Sequence, residues 1–289
     1  MKYIFILNSF GKRDIKNLYR KIQVVAQSLN LNYCIEVNSS NLSTEDILKK
    51  YKSTRNIIVA VGGDGMINKV LNGIVDTNNL LSYIPYGTGN DFHKTVKEIL
   101  PYGRSSIDLV QINDKYFINI ACFGIDADIA NDDTFIHNEF IPRKLRYNAG
   151  VIYHFLKYEA RNIEIAFDEK IIEDYYTTVV VCNSRYYGGG YKISPSSILN
   201  DGLLEVYLVK ELDKLNMAKT ILSMKDGSHE NSPYIKKVLA ERLTISSKLP
   251  ISSNIDGEIL TAKEFKIEVH PKEIEIFNNQ ELIEKILKK

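Results

Sequence analysis

The chain has 289 residues, 44% of them apolar, with 37 basic against 36 acidic side chains and a formal charge of +1. That length suffices for one large domain or two ordinary ones with buried cores, and the near-neutral balance, with no basic stripe interleaved with aromatics, argues against nucleic acid as a partner. The three cysteines, Cys34, Cys122 and Cys182, are odd in number and far apart, which speaks against a disulfide framework or a zinc site and for a reducing compartment.

The apolar opening, residues 3–7, is too short for a signal-peptide core, and no run reaches the length of a membrane span, so a cytoplasmic protein is expected. That opening reads as a strand. It is followed by a helical pattern over 14–29, a strand over 33–37, a helix over 44–51 with Ser43 as N-cap, and a strand over 57–61. Such alternation predicts a parallel sheet with helices on both faces, and in such sheets ligands bind beyond the carboxyl ends of the strands. Asn8 to Lys12, Asn38 and two glycine clusters all fall on that edge. The clusters are Gly62-Gly63-Asp64-Gly65, followed by Met66-Ile67-Asn68-Lys69, and Gly87-Thr88-Gly89-Asn90-Asp91.

Each cluster ends an apolar run and opens a helix-like segment, which is how a chain builds a place for phosphate: glycine lets backbone N–H groups approach an anion, and the helix directs its positive end there. Asp64 and Asp91 would repel bare phosphate, so a divalent cation or a basic residue must stand between. The spacing fits neither GxxxxGK[ST] nor GxGxxG. From about residue 103 period-two runs take over, at 116–122, 163–167, 177–182, 203–209, 243–246, 265–269 and 274–277, and predict an antiparallel β domain. One amphipathic helix, 143–160, interrupts it and opens with Arg143, Lys144 and Arg146. It either packs on the sheet or lies on an anionic bilayer. A last helix is expected over 280–288. The cleft between the halves is the natural meeting place for two substrates.

The stretch from Gly62 to Gly65 with Ile67-Asn68 and Asn72-Gly73, and then Pro85-Tyr86-Gly87-Thr88-Gly89-Asn90-Asp91-Phe92, resembles the catalytic domain of the diacylglycerol kinase family. Within that family, which includes sphingosine and ceramide kinases, it is most similar to the small soluble bacterial lipid kinases. Met66 stands where that family has Thr, and Lys69 where it commonly has Glu. The resemblance implies an N-terminal Rossmann-like parallel α/β domain, 1–102 with a returning segment 278–289, and a C-terminal antiparallel β-sandwich domain, 103–277, for the lipid. It implies an ATP- and Mg²⁺-dependent kinase acting on a hydroxyl of diacylglycerol or a related lipid, peripheral to the membrane. Nucleotide contacts would come from Asn8, Ser9, Gly11 and Lys12, from Gly62, Gly63, Asp64, Gly65, Met66 and Asn68, and from Gly87, Thr88, Asn90 and Asp91.

Ile255-Asp256-Gly257-Glu258 is similar to the family's late DGE motif, which makes Glu258, and after it Asp256, the expected acceptor of the substrate proton. As bare Asp-Gly it is a hairpin turn. Tyr187 to Leu203 is similar to the family segment that holds Mg²⁺, which would assign Asp201 and the carbonyls of Ile198 and Leu203 as ligands. Phe123 to Asp128 is similar to a further family stretch, in which Asp126 would line the cleft; by spacing alone Asp126 and Asp128 equally face solvent together. Met66 and Lys69 keep open a nucleotide-binding regulator without catalysis, and a soluble acceptor is a third reading. The sequence is compatible with a homodimer.

Overall fold

The computed structural model describes residues 1–9, 14–124, 160–168 and 170–288. Gly11, Lys12, Asp126 and the expected helix 143–160, apart from its last residue, lie outside them. The chain forms two compact units, Met1–Leu109 with Pro271–Lys289, and Val110–His270.

The first unit alternates β1 (Tyr3–Leu7), α1 (Ile15–Ser28), β2 (Tyr33–Val37), α2 (Thr44–Lys49), β3 (Ile57–Gly62), α3 (Asp64–Ile74), β4 (Leu80–Pro85) and α4 (Asp91–Ile99), then leaves through β5 (Gly103–Ile112). Its strands run parallel in the order β2-β1-β3-β4. Every residue of β3 and β4 is buried, as strands covered on both faces require. The helices begin where side-chain caps allow. Asp14 accepts the Asn17 N–H at 3.0 Å, and Ser43 accepts that of Asp46 at 3.1 Å. Leu18, Ile22 and Ala26, four apart, form the buried stripe of α1. Register pairs Leu7 with both Val37 and Val61, and Gly62 with Pro85, so these strands end level. The loops that follow them therefore open on one edge.

The second unit contains β6 (Lys115–Phe117), β7 (Ile120–Gly124), β8 (Arg161–Phe167), β9 (Lys170–Cys182), β10 (Tyr186–Tyr187), β11 (Tyr191–Lys192), β12 (Leu204–Lys210), α5 (Lys214–Ser223), a 3₁₀ turn Ser228–Asn231, β13 (Ile235–Ala240), β14 (Arg242–Ile255) and most of β15 (Glu258–Asn278). Its ladders are antiparallel: β12 lies between β13 and β9, β9 also pairs with β7 and β8, and β14 pairs with β7, β8 and β15. Alternate side chains fill two layers. One holds Phe123, Val179, Val181, Val206 and Phe265, with the Phe123 and Phe265 rings edge to face at 4.9 Å. The other holds Ile120, Cys122, Val180, Cys182 and Tyr207. Beyond His270 the end of β15 belongs to the first unit, where Ile276 pairs in parallel with Leu81, and α6 (Gln280–Leu287) closes the chain.

Two expected runs differ. The strand expected over 116–122 is broken at Ile118–Asn119, because the Ile118 and Ile120 N–H groups are taken by the Asp256 carboxylate. The runs 265–269 and 274–277 are one strand, whose alternation slips at Lys272, in left-handed backbone at φ 56° with its N–H on Asp108. Among the described residues no helix is long and apolar enough to cross a membrane.

Candidate active site

The two glycine clusters touch backbone to backbone. A Cβ on Gly63 would stand 3.1 Å from the Gly87 Cα, and one on Gly87 only 2.4 Å from the Gly63 Cα and 2.6 Å from Asn90 Oδ1. Only glycine lets the ends of β3 and β4 come this close. Asn90, left-handed at φ 53°, closes the second loop on itself: its Oδ1 accepts the Gly87 N–H at 2.8 Å and its Nδ2 donates to the Gly87 carbonyl at 3.2 Å.

Asp64 then joins the loops. Its carboxylate accepts the N–H groups of Asp91 at 3.1 Å and Phe92 at 3.0 Å, capping α4 from across the edge. Burial pushes its carboxyl above the usual range, against the pull of those two donors. Asp91 is buried in the first turn of α4, and the Lys94 ammonium sits 2.8 Å from its carboxylate. A basic partner of the kind the acids call for is thus Lys94, whose only sequence signal is its place one helical turn after Asp91.

The remaining candidates differ in surroundings. Around Gly65 an added Cβ would meet nothing within 4 Å, so the backbone there is open to approach. Thr88 and Lys69 are exposed, whereas Met66 and Asn68 are buried in α3, with Asn72 Nδ2 on the Asn68 carbonyl at 3.0 Å. Met66 packs so closely over Gly62 that a Cβ on the latter would lie 2.7 Å from its own Cβ. Asn8 is exposed beside Ser9, whose N–H donates to Asn38 Oδ1 at 2.7 Å, and buried Asn38 donates in turn to Thr44 at 3.2 Å. Asn38, marked in the sequence only by its place on this edge, is what holds the chain at Ser9.

In the second unit Asp256 and Gly257 form the two-residue turn between β14 and β15, both at positive φ, 50° and 93°. Asp256 is buried, and both carboxylate oxygens are engaged, by the Ile118 N–H at 3.1 Å and the Ile120 N–H at 2.9 Å. Glu258 keeps its side chain 38% exposed, with Lys115 Nζ 3.7 Å away, and so has room to take a proton that Asp256 lacks.

Asp201 is exposed and accepts the Leu203 N–H at 3.1 Å, which folds 201–203 into a tight turn. A polar chain holds the segment before it. Ser197 and Ser194 both bond to the Glu205 carboxylate, Ser194 meets the Tyr207 hydroxyl at 3.0 Å, Tyr207 donates to Glu230, and Arg185 Nε donates to the Ser197 carbonyl at 2.9 Å. Burial raises the Glu205 carboxyl, partly opposed by the Ser197 bond. Among the described residues no three His, Cys, Asp or Glu side chains cluster as metal ligands. A cation at the 198–203 turn would depend on one carboxylate and on carbonyls.

Comparison with known proteins gives this geometry its family. The profile of the diacylglycerol kinase catalytic domain matches residues 2–112, and that of the YegS C-terminal NAD kinase beta sandwich-like domain matches residues 119–278. The chain belongs to the lipid kinase family that these two domains define, enzymes that phosphorylate an alcohol group. It is 29% identical to the diacylglycerol kinase of Bacillus subtilis (strain 168), over 70% of this chain and 71% of that protein. It is 28% identical to a Yersinia enterocolitica protein named "Probable lipid kinase YegS-like", over 94% and 95%. The crystal structure of a diacylglycerol kinase from Bacillus anthracis str. Sterne shares the fold, at TM-score 0.69, 20% identity and 97% coverage of each chain.

Proposed function

We propose that the chain transfers the γ-phosphoryl group of ATP, with Mg²⁺, to a hydroxyl of diacylglycerol or a related lipid, as a cytoplasmic enzyme that works at the membrane surface. The observation that carries this reading is the lock between Gly63, Gly87 and Asp64, which holds two glycine loops and two helix N-termini on one edge. Phosphoryl transfer asks chiefly for such positioning and for charge neutralisation, the latter supplied by Mg²⁺ when bound. In this reading the first unit is Rossmann-like and takes the nucleotide on residues 1–102 with 278–289, and residues 103–277 take the lipid.

Gly63, Gly65, Asn68 and Thr88 serve the nucleotide, together with Asn8, Ser9, Gly11 and Lys12. Asp64 and Asp91 keep the loops and α4 in place, and Lys94 balances Asp91. Glu258 accepts the proton of the lipid hydroxyl as its oxygen bonds to the γ-phosphorus and the bond from that phosphorus to the β–γ bridging oxygen breaks, leaving ADP. Asp256 sets the turn that carries Glu258. A further Mg²⁺ would be held by Asp201 and the carbonyls of Ile198 and Leu203. An oxygen-only donor set suits that hard cation, and the exposed Asp201 turn fits it.

The test is transfer of labelled phosphate from ATP into extracted lipid, by the purified protein with Mg²⁺ and mixed micelles. Glu258→Gln should lower turnover by about 10²–10⁴ while ATP binding is kept. Label that survives this substitution removes Glu258 from its role. Absent label with intact ATP binding would favour the regulator reading or a soluble acceptor.

A further inference from the structure

The open surface of α3 is one narrow stripe. From Asp64 to Ile74 only Lys69 and Asn72 are exposed and Gly65 is half-open, while the residues between them are buried. At about 100° per residue, Gly65, Lys69 and Asn72 fall within about 60° of one another and share that face. Asn72 turns its amide back onto the Asn68 carbonyl at 3.0 Å, so the group of this stripe that can reach outward is Lys69. Helical side chains lean toward the N-terminus, and four residues rise about 6 Å, a span that the four-carbon lysine stem covers. The Lys69 ammonium is therefore within reach of the bare backbone at Gly65, where an added Cβ would meet nothing within 4 Å. Its charge is also uncommitted. Lys94, in the first turn of α4, is held by Asp91 at 2.8 Å, whereas Lys69 pairs with no carboxylate among the described residues. Asp64, the acid of its own helix, has its carboxylate on the Asp91 and Phe92 N–H groups.

We infer that Lys69 is a phosphate ligand: its ammonium donates to the phosphate chain of the nucleotide where that chain lies over Gly65. The inference deepens the lipid-kinase reading and rests on its nucleotide site. It also gives the departure from the family's Glu a chemical meaning. A carboxylate at this place meets phosphate only through a cation, whereas an ammonium meets it directly, by a charge-assisted hydrogen bond. Lysine at position 69 then changes how the phosphate charge is neutralised and is no mark of lost catalysis.

The experiment is calorimetric titration of the purified full chain with ATP and Mg²⁺, beside Lys69→Gln, Lys69→Arg, Lys69→Glu and Lys97→Gln. Lys69→Gln should weaken ATP binding about tenfold or more, and Lys69→Glu should weaken it further. Lys69→Arg keeps the charge and should stay near the unsubstituted protein. Lys97, exposed in the last turn of α4, is the control for bulk charge: Lys97→Gln should change the affinity by less than about twofold at physiological salt. Adenosine, followed by broadening of its base-proton resonances, should bind alike in every case, because it has no phosphate for Lys69 to meet. Both positions are exposed, so melting temperatures without ATP should stay unchanged. Undiminished ATP binding by Lys69→Gln overturns the proposal and leaves Lys69 a solvated side chain. A loss shared equally by adenosine, or by Lys97→Gln, overturns it too, since the effect would then come from the fold or from bulk charge. Failure of the unsubstituted protein to bind ATP would remove the nucleotide site, and the kinase reading with it, a result distinct from each of these.

Discussion

Gly87 and Gly65 occupy matching sequence clusters but meet different surroundings, and that difference separates a glycine the packing requires from one whose backbone is open to approach. A methyl group on Gly87 would be driven into the Gly63 Cα at 2.4 Å, so Gly87→Ala should cost about 1–3 kcal/mol, read by thermal or urea unfolding. A methyl group on Gly65 meets nothing. Gly65→Ala should therefore leave stability unchanged or slightly raised, since alanine suits α3 better, yet weaken ATP binding in a calorimetric titration if the nucleotide uses that bare backbone as proposed. Asp64 adds a pH signature. Its carboxyl is raised by burial, so the folded state holds a proton that the unfolded state has already released, and stability falls as pH rises through the window just above the ordinary carboxylate range. Asp64→Asn should flatten that part of the profile in urea unfolding measured at a series of pH values. An unchanged slope would assign it to other groups.

At the scale of elements, the β14–β15 turn sets two acids two residues apart to different work. Asp256 turns back and holds the break between β6 and β7. Asp256→Ala strips two buried N–H groups of a charged acceptor and should cost about 3 kcal/mol, seen as a lower unfolding midpoint. Glu258→Gln, at a half-exposed position, should change stability by less than about 0.5 kcal/mol while turnover collapses. If the two substitutions exchanged effects, with Asp256→Ala stable and inactive and Glu258→Gln unfolded, the roles assigned here would be reversed. The sequence could announce a turn at Asp256-Gly257 and offer both acids as bases. It could not tell which was occupied, because the partners at 118 and 120 lie more than a hundred residues away.

For the whole molecule, legibility follows the range of the interactions. The first unit was readable nearly element by element, since its caps, strand-ending glycines and apolar runs are local signals, Ser43 and the level ends of β3 and β4 among them. What stayed hidden there were side chains acting across loops: Asp64 on α4, and Asn38 on Ser9. In the second unit the β character was plain, but β13 and α5 were missed. Lysines interrupt the alternation of Ile235–Ala240, and α5 is apolar on both sides. The polar chain from Ser197 through Glu205 and Tyr207 to Glu230 joins residues whose partnership no spacing reveals. That chain leads to the last expectation. With the segment before Asp201 held by buried bonds and the Asp201 carboxylate on the Leu203 N–H, the chain's own groups hold the 198–203 turn, so Mg²⁺ should bind there without nucleotide. Mg²⁺ alone should then stabilise the fold by mass action, by about 2.7 kcal/mol at a hundredfold excess over its dissociation constant, read as a higher unfolding midpoint. Asp201→Asn should abolish that shift and leave the separate stabilisation by ATP unchanged. A Mg²⁺ effect that appears only when ATP is present would instead move the ion from the Asp201 turn to the phosphates of the nucleotide.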